Sequence, residues 1–122
     1  MMAETTKLPY DTSTHIGPGS AVVIMDNKAQ STPATSFPDY ISMSSNRDTD
    51  RDTLDLMAVT HNMIFKVEYV GAMPPTVGMS LGISNHKYKM DAVTYNGSGK
   101  GQIVALDKEN GNFVYMRFRN KN

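Results

Sequence analysis

Val77-Gly78-Met79-Ser80-Leu81-Gly82-Ile83 opens the last third of the chain, and Asn96-Gly97-Ser98-Gly99-Lys100-Gly101 divides it. A hairpin follows, with Gln102 to Leu106 and Phe113 to Arg119 as its limbs. Six of the nine glycines lie between Val77 and Arg119, each beside a short β-branched or aromatic run. Glycine at that spacing punctuates small, sharply turned β-structures. In the closing limb Val114, Met116 and Phe118 alternate with Phe113, Tyr115, Arg117 and Arg119. Strand side chains alternate between faces, so the first set is expected inside and the second outside. Asp107 to Asn112, containing Asn110-Gly111, is read as the turn.

Working outward, Met63 to Val70 has the clearest alternation. Met63, Phe65, Val67 and Tyr69 point one way; Lys66 and Glu68 point the other, flanked by Ile64 and Val70. That pattern specifies a half-buried antiparallel strand. Ala21 to Met25 is a continuous apolar run, as in a strand buried on both faces. Tyr40 to Ser44, Leu54 to Val59, Met79 to Ser84 and Tyr88 to Tyr95 read as further strands, with Thr60-His61-Asn62 a tight turn. Asp26 to Asp39 reads as a 14-residue loop, anchored to the core by Phe37. Ser45 to Thr53 reads as a charged, exposed loop, and Gly71 to Val77 as a turn built on Pro74-Pro75. Met1 to His15 has little apolar content and reads as an extended arm rather than a core strand. No amphipathic helix of ten residues is visible.

The expectation is an all-β chain of about eight short strands. It takes the form of a small antiparallel β-barrel or a β-tulip or sandwich over residues 16–122, with an extended N-terminal arm over residues 1–15. Gly19-Ser20-Ala21-Val22-Val23-Ile24 echoes Gly78-Met79-Ser80-Leu81-Gly82-Ile83. Matches this short arise by chance between barrel strands, and the echo is read so.

Lys plus Arg and Asp plus Glu number 12 each, so the formal net charge is zero. A general nucleic-acid binder is expected to be basic. Weak self-repulsion suits a chain that works assembled. With no cysteine, disulfides and thiolate metal sites are excluded. No run approaches the ~20 apolar residues of a membrane-spanning helix, and the N-terminus lacks the apolar centre of a signal peptide. Ten methionines against no tryptophan suit a barrel filler or an adaptable contact surface.

No catalytic constellation emerges. Asp48, Asp50, Asp52 and Asp55 suggest a calcium loop, but Thr53 stands where that loop needs glycine and Val59 where it needs glutamate. A solvated loop with local ion pairs to Arg47 and Arg51 accounts for these residues. Gly97 to Gly101 fails as a phosphate loop, with Thr94 and Gly101 at positions that require Gly and Ser or Thr. His15, His61 and His86 lie far apart in turns or the arm, and no Gly-x-Ser-x-Gly elbow occurs. The expectation is a non-enzyme without cofactor or metal.

The strongest surface feature is the Tyr115, Arg117, Arg119 stripe, extended by Lys121. Phe113 to the end carries three positive charges and no negative one, whereas Asp39 to Asp55 carries five Asp against two Arg. Tyrosine and arginine are enriched at protein contacts. A basic aromatic strand also suits single-stranded nucleic acid, and charge also protects an edge strand.

Ile64 to Tyr69, Val77 to Ile83, Gly99 to Leu106 and Phe113 to Phe118 together resemble the small capsid decoration (cement) proteins of tailed bacteriophages. Members show an aromatic strand, a Val-Gly-x-x-aliphatic strand, a turn into Gly-x-aliphatic-Val and a closing strand with Val and Arg. The likeness spans residues 64 to 118. It implies a β-barrel or β-tulip on the capsid surface of a virion, made in the host cytoplasm, with no enzymatic activity. It also implies an arm that reaches onto the shell, the major capsid protein as partner, and a homo-oligomer, a trimer being favoured. On that reading Leu8, Pro9 and Tyr10 of the arm and Tyr115, Arg117 and Arg119 are the contact residues. The alternatives are an OB or SH3-like barrel for nucleic acid or a small ligand, and a head–tail joining or tail protein.

Overall fold

A computed structural model of the chain describes residues 5–10, 15–33, 36–47, 52–83, 90–92 and 99–120. The chain is all-β. Ten strands are described: β1 (Thr5–Leu8), β2 (Ala21–Met25), β3 (Lys28–Ser31), β4 (Tyr40–Ser42), β5 (Leu54–Ala58), β6 (Ile64–Glu68), β7 (Ser80–Ile83), β8 (Met90–Ala92), β9 (Gly101–Leu106) and β10 (Phe113–Phe118). They form two five-stranded antiparallel sheets, in the orders β1-β5-β4-β2-β3 and β6-β10-β9-β7-β8.

Eight of these strands coincide with the runs read from the sequence. The other two correct it. Thr5–Leu8 was expected as part of an extended arm, yet it pairs with β5 from Thr5↔Met57 to Leu8↔Leu54. Its polar composition fits an edge strand with one face in water. Lys28–Ser31 lies inside the expected 14-residue loop and pairs with β2. The turn between them is Asp26-Asn27, with φ of 53° and 61°. Two consecutive left-handed residues make the hairpin turn whose twist matches antiparallel strands, and Asp and Asn tolerate that region best after glycine.

The first sheet curls on itself. Past β1, the Ala29 N–H donates to the Pro9 carbonyl at 2.7 Å, and Tyr10 forms a parallel bridge to Ala29 on the opposite edge. The seam encloses a small core of Ile16, Val22, Ala29, Leu54 and Leu56. The sheet's other face adds Ala21 and Ile41 to a larger core with Phe65, Val67, Leu81, Ile103, Val114, Met116 and Phe118 of the second sheet. β2 thus lies between two cores, which is why Ala21, Val22 and Val23 are all buried. Phe37 anchors its loop edge-on to Phe118, with ring centroids 5.9 Å apart, and Phe118 meets Phe65 likewise at 5.6 Å.

Adding five to each strand number of the first sheet gives the order of the second. The hydrogen bonds repeat as well. The Gly19 N–H donates to the Ser42 carbonyl at 2.8 Å, and the Gly78 N–H to Ile103 at 2.8 Å. The reverse bonds, Ser42 to Ser20 and Ile103 to Met79, are both 2.9 Å. Asp39 donates to Val22 as Lys100 donates to Leu81, and Val59 donates to Asp39 as Arg119 donates to Lys100. The short echo is therefore structural: it marks β2 and β7, equivalent strands each entered through a positive-φ glycine, Gly19 (86°) and Gly78 (91°).

Candidate protein-contact surface

β10 lies between β6 and β9 in the second sheet. It is an interior strand, so its charges do not guard an edge. Val114, Met116 and Phe118 are buried as the alternation requires. Phe113, Tyr115 and Arg117 occupy the other face, with Tyr115 opposite Lys66 and Arg117 opposite Ile64 on β6. On β9, Tyr115 faces Ala105 but Met116 faces Ile103, leaving Val104 as a bulge. The extra residue keeps the pattern in phase. Ile103 meets Met116 inside, and Gln102 joins Arg117 outside. A regular ladder would pair Arg117 with Ile103 and turn an isoleucine outward.

The outward face carries anchored charges. Lys66 Nζ lies 3.2 Å from Asp107 Oδ2 and 5.2 Å from the Phe113 ring centroid. Asp107 caps the β9–β10 turn, its Oδ1 accepting from the Glu109 and Asn110 N–H groups. The Glu109 bond most of all, and then Lys66, holds its carboxyl below the usual carboxylate range. Just past β10, Arg119 Nε donates to the Gly99 carbonyl at 2.7 Å, and its guanidinium carbon lies 5.4 Å from the Phe37 centroid. Lys100, only 5% exposed, has its pKa lowered by burial first and by Arg119 second. Arg117 is exposed and Ile64, beside it, is 49% exposed.

The structure brings Tyr115 and Arg117 together on one face, with Arg119 at its end. Leu8, Pro9 and Tyr10 lie in the other sheet, at the seam where it closes. Leu8 and Tyr10 are half-buried against the small core, and the Pro9 carbonyl makes the seam bond. Gln102 and Ile64 belong to the β10 face but were not legible as such. Only the strand order and the bulge place them beside Arg117.

Of the residues weighed for chemistry, Asp48, Asp50, Arg51, His86, Thr94, Gly97, Ser98 and Lys121 lie outside the described residues. Asp55 meets Lys7 at 3.8 Å, and His15 is hydrogen-bonded to Ser45. Among the described residues no three His, Cys, Asp or Glu are grouped to hold a metal. A cleft of about 520 Å³ runs along the β6–β7 connection past Val70, Met73 and Pro75; among the described residues, Glu68 is the one carboxylate lining it.

The comparison that bears on this arrangement is with solved structures. The chain resembles the crystal structure of the head fiber gp8.5 N base in bacteriophage phi29. The two share 11% identity at a TM-score of 0.69, over 97% of this chain and 95% of that one. The two chains share one fold. No protein-family model matches the sequence, and no curated protein is similar to it in sequence.

Proposed function

We propose that this chain is a structural protein of a phage virion, a decoration protein seated on the capsid surface that ties neighbouring major capsid subunits together. The observation that carries this reading is the likeness to the phi29 head fiber base, which takes in nearly all of both chains. The outward face with half-buried Tyr115 and exposed Arg117 supports it, because tyrosine and arginine supply contact area and directed hydrogen bonds where proteins meet. The mechanism needs no chemical step. A partner that binds only the assembled shell stabilises it by mass action, by about 2.7 kcal/mol when present at a hundred times its dissociation constant. In this reading the protein works as a homo-oligomer, a trimer matching a threefold position of the shell.

The test is to mix the protein with shells stripped of accessory proteins and to heat them. The shell's melting temperature is expected to rise with protein concentration, and the protein to sediment with the shells. An unmoved melting temperature without co-sedimentation sinks the reading. A second reading takes the same shell-bound unit as the base of a fiber, and the named neighbour favours it directly. Micrographs of decorated shells separate the two, since a fiber base sits under a projecting stalk.

A further inference from the structure

In the first half of the molecule, the outward face of the sheet is already a contact. Ala21 and Ile41 lie in the core shared with the second sheet, and Met57 and Val59 pack against it. The repeated ladder assigns each of them a counterpart. Ala21 pairs with Ile41 as Ser80 pairs with Gln102. Ile41 pairs with Met57 as Gln102 pairs with Arg117. Val59 donates to Asp39 as Arg119 donates to Lys100. The four apolar docking positions of the first half are therefore Ser80, Gln102, Arg117 and Arg119 in the second, and Asp39 is replaced by Lys100.

Contact with water alone would be met by any polar residue. Here three of these five equivalent positions are cationic, Arg117 and Arg119 exposed and Lys100 buried beside Arg119, and clustered like charges repel. The ion pairs among the described residues, Lys7–Asp55 and Lys66–Asp107, include none of the three. Half-exposed Ile64 lies in line with Arg117, and Tyr115 stands two residues along on the same face. Arginine beside tyrosine and isoleucine combines a fork for carboxylates with apolar contact area.

We propose that this outward face of the second sheet, centred on Arg117 with Gln102, Tyr115, Ile64 and Arg119 around it, docks an acidic protein surface. The inference rests on the proposed function, in that the acidic surface belongs to the assembled shell. A protein fits better than a nucleic acid, because the whole chain has zero net charge and phosphate backbones demand a basic partner.

The test is co-sedimentation of the full chain with stripped shells across a salt series, using wild type, Arg117→Glu and Lys108→Glu. The last makes the same charge change on the hairpin turn. Wild-type binding is expected to weaken with salt, Arg117→Glu to lose about tenfold or more in affinity, and Lys108→Glu to bind like wild type. The melting temperature of Arg117→Glu alone checks its fold, and Arg117→Gln, with a smaller loss expected, replaces it should it unfold. If wild type binds shells and both Arg117 variants bind equally well, this face is not the dock, while the proposed function stands. If wild type does not bind, both fall. Salt-sensitive capture of single-stranded DNA that Arg117→Glu abolishes, or self-association that it abolishes, identifies a different occupant and overturns the proposal.

Discussion

At the scale of single residues, two glycines do the same conformational task in different surroundings. Gly19 and Gly78 both hold φ near +90°. A Cβ on Gly19 would lie 2.9 Å from the Glu68 nitrogen, whereas one on Gly78 meets nothing within 4 Å. Gly78→Ala is expected to cost only the left-handed penalty, about 1 kcal/mol. Gly19→Ala adds a clash against β6 and is expected to cost about 3 kcal/mol. Urea unfolding of the two variants measures the difference, and equal losses would refute the close approach. Lys100 gives a second residue-scale prediction. Its folded-state pKa is lowered, so between that value and its unfolded value the unfolded chain binds more protons and stability rises with pH. Lys100→Met removes a buried cation beside Arg119. It is expected to raise the melting temperature by a few degrees at about neutral pH and to flatten the alkaline rise.

At the scale of elements, the β9–β10 hairpin shows what sequence periodicity reads well. Inward Val114, Met116 and Phe118 and outward Tyr115 and Arg117 follow from alternation, because a sheet with one wet face enforces it. The Val104 bulge does not follow, since an extra residue is placed by the partner strand's register. The Asp107 turn joins the limbs and ties β6 to them through Lys66. Its folded-state pKa is depressed, so its contribution is present above the ordinary carboxylate range and lost as pH falls through the folded value. Asp107→Ala is expected to lower the melting temperature by a few degrees at about pH 7, with the gap from wild type closing as pH falls below the depressed folded-state value. A gap that persists in acid would show that the turn acts through packing instead. β3 forms through its partners rather than its own residues. Four residues, KAQS, carry almost no strand signal. The two left-handed residues Asp26 and Asn27 and the pairing with β2 make them a strand.

For the whole molecule, the two sheets share one core through Ala21 and Ile41. A cavity at Ile41 should therefore weaken both sheets. Ile41→Ala is expected to cost about 3 kcal/mol and to lower hydrogen-exchange protection in β9 and β10 together with β4, as in a single cooperative unit. Loss confined to the first sheet would show that the halves unfold separately. The same junction explains why the halves differ in polarity. The outward face of the first sheet reads Ala21, Ile41 and Met57 because the second sheet covers it. The equivalent face of the second sheet reads Ser80, Gln102 and Arg117, and among the described residues no further sheet covers it.

Local pattern alone determined the all-β class, eight of the strands, the inward set of the closing hairpin and the prominence of Arg117. Each depends on neighbours one or two residues away, where alternation and turn chemistry are strong. The tertiary structure decided the closure of the first sheet through Pro9 and Tyr10, the repeat of five strands, the bulge at Val104, and which cations share a face. These depend on pairings between residues far apart in the chain. Hydrogen bonds between backbones can set such pairings with little trace in the side chains, so two halves with the same ladder kept only a glycine and an isoleucine of their echo in common.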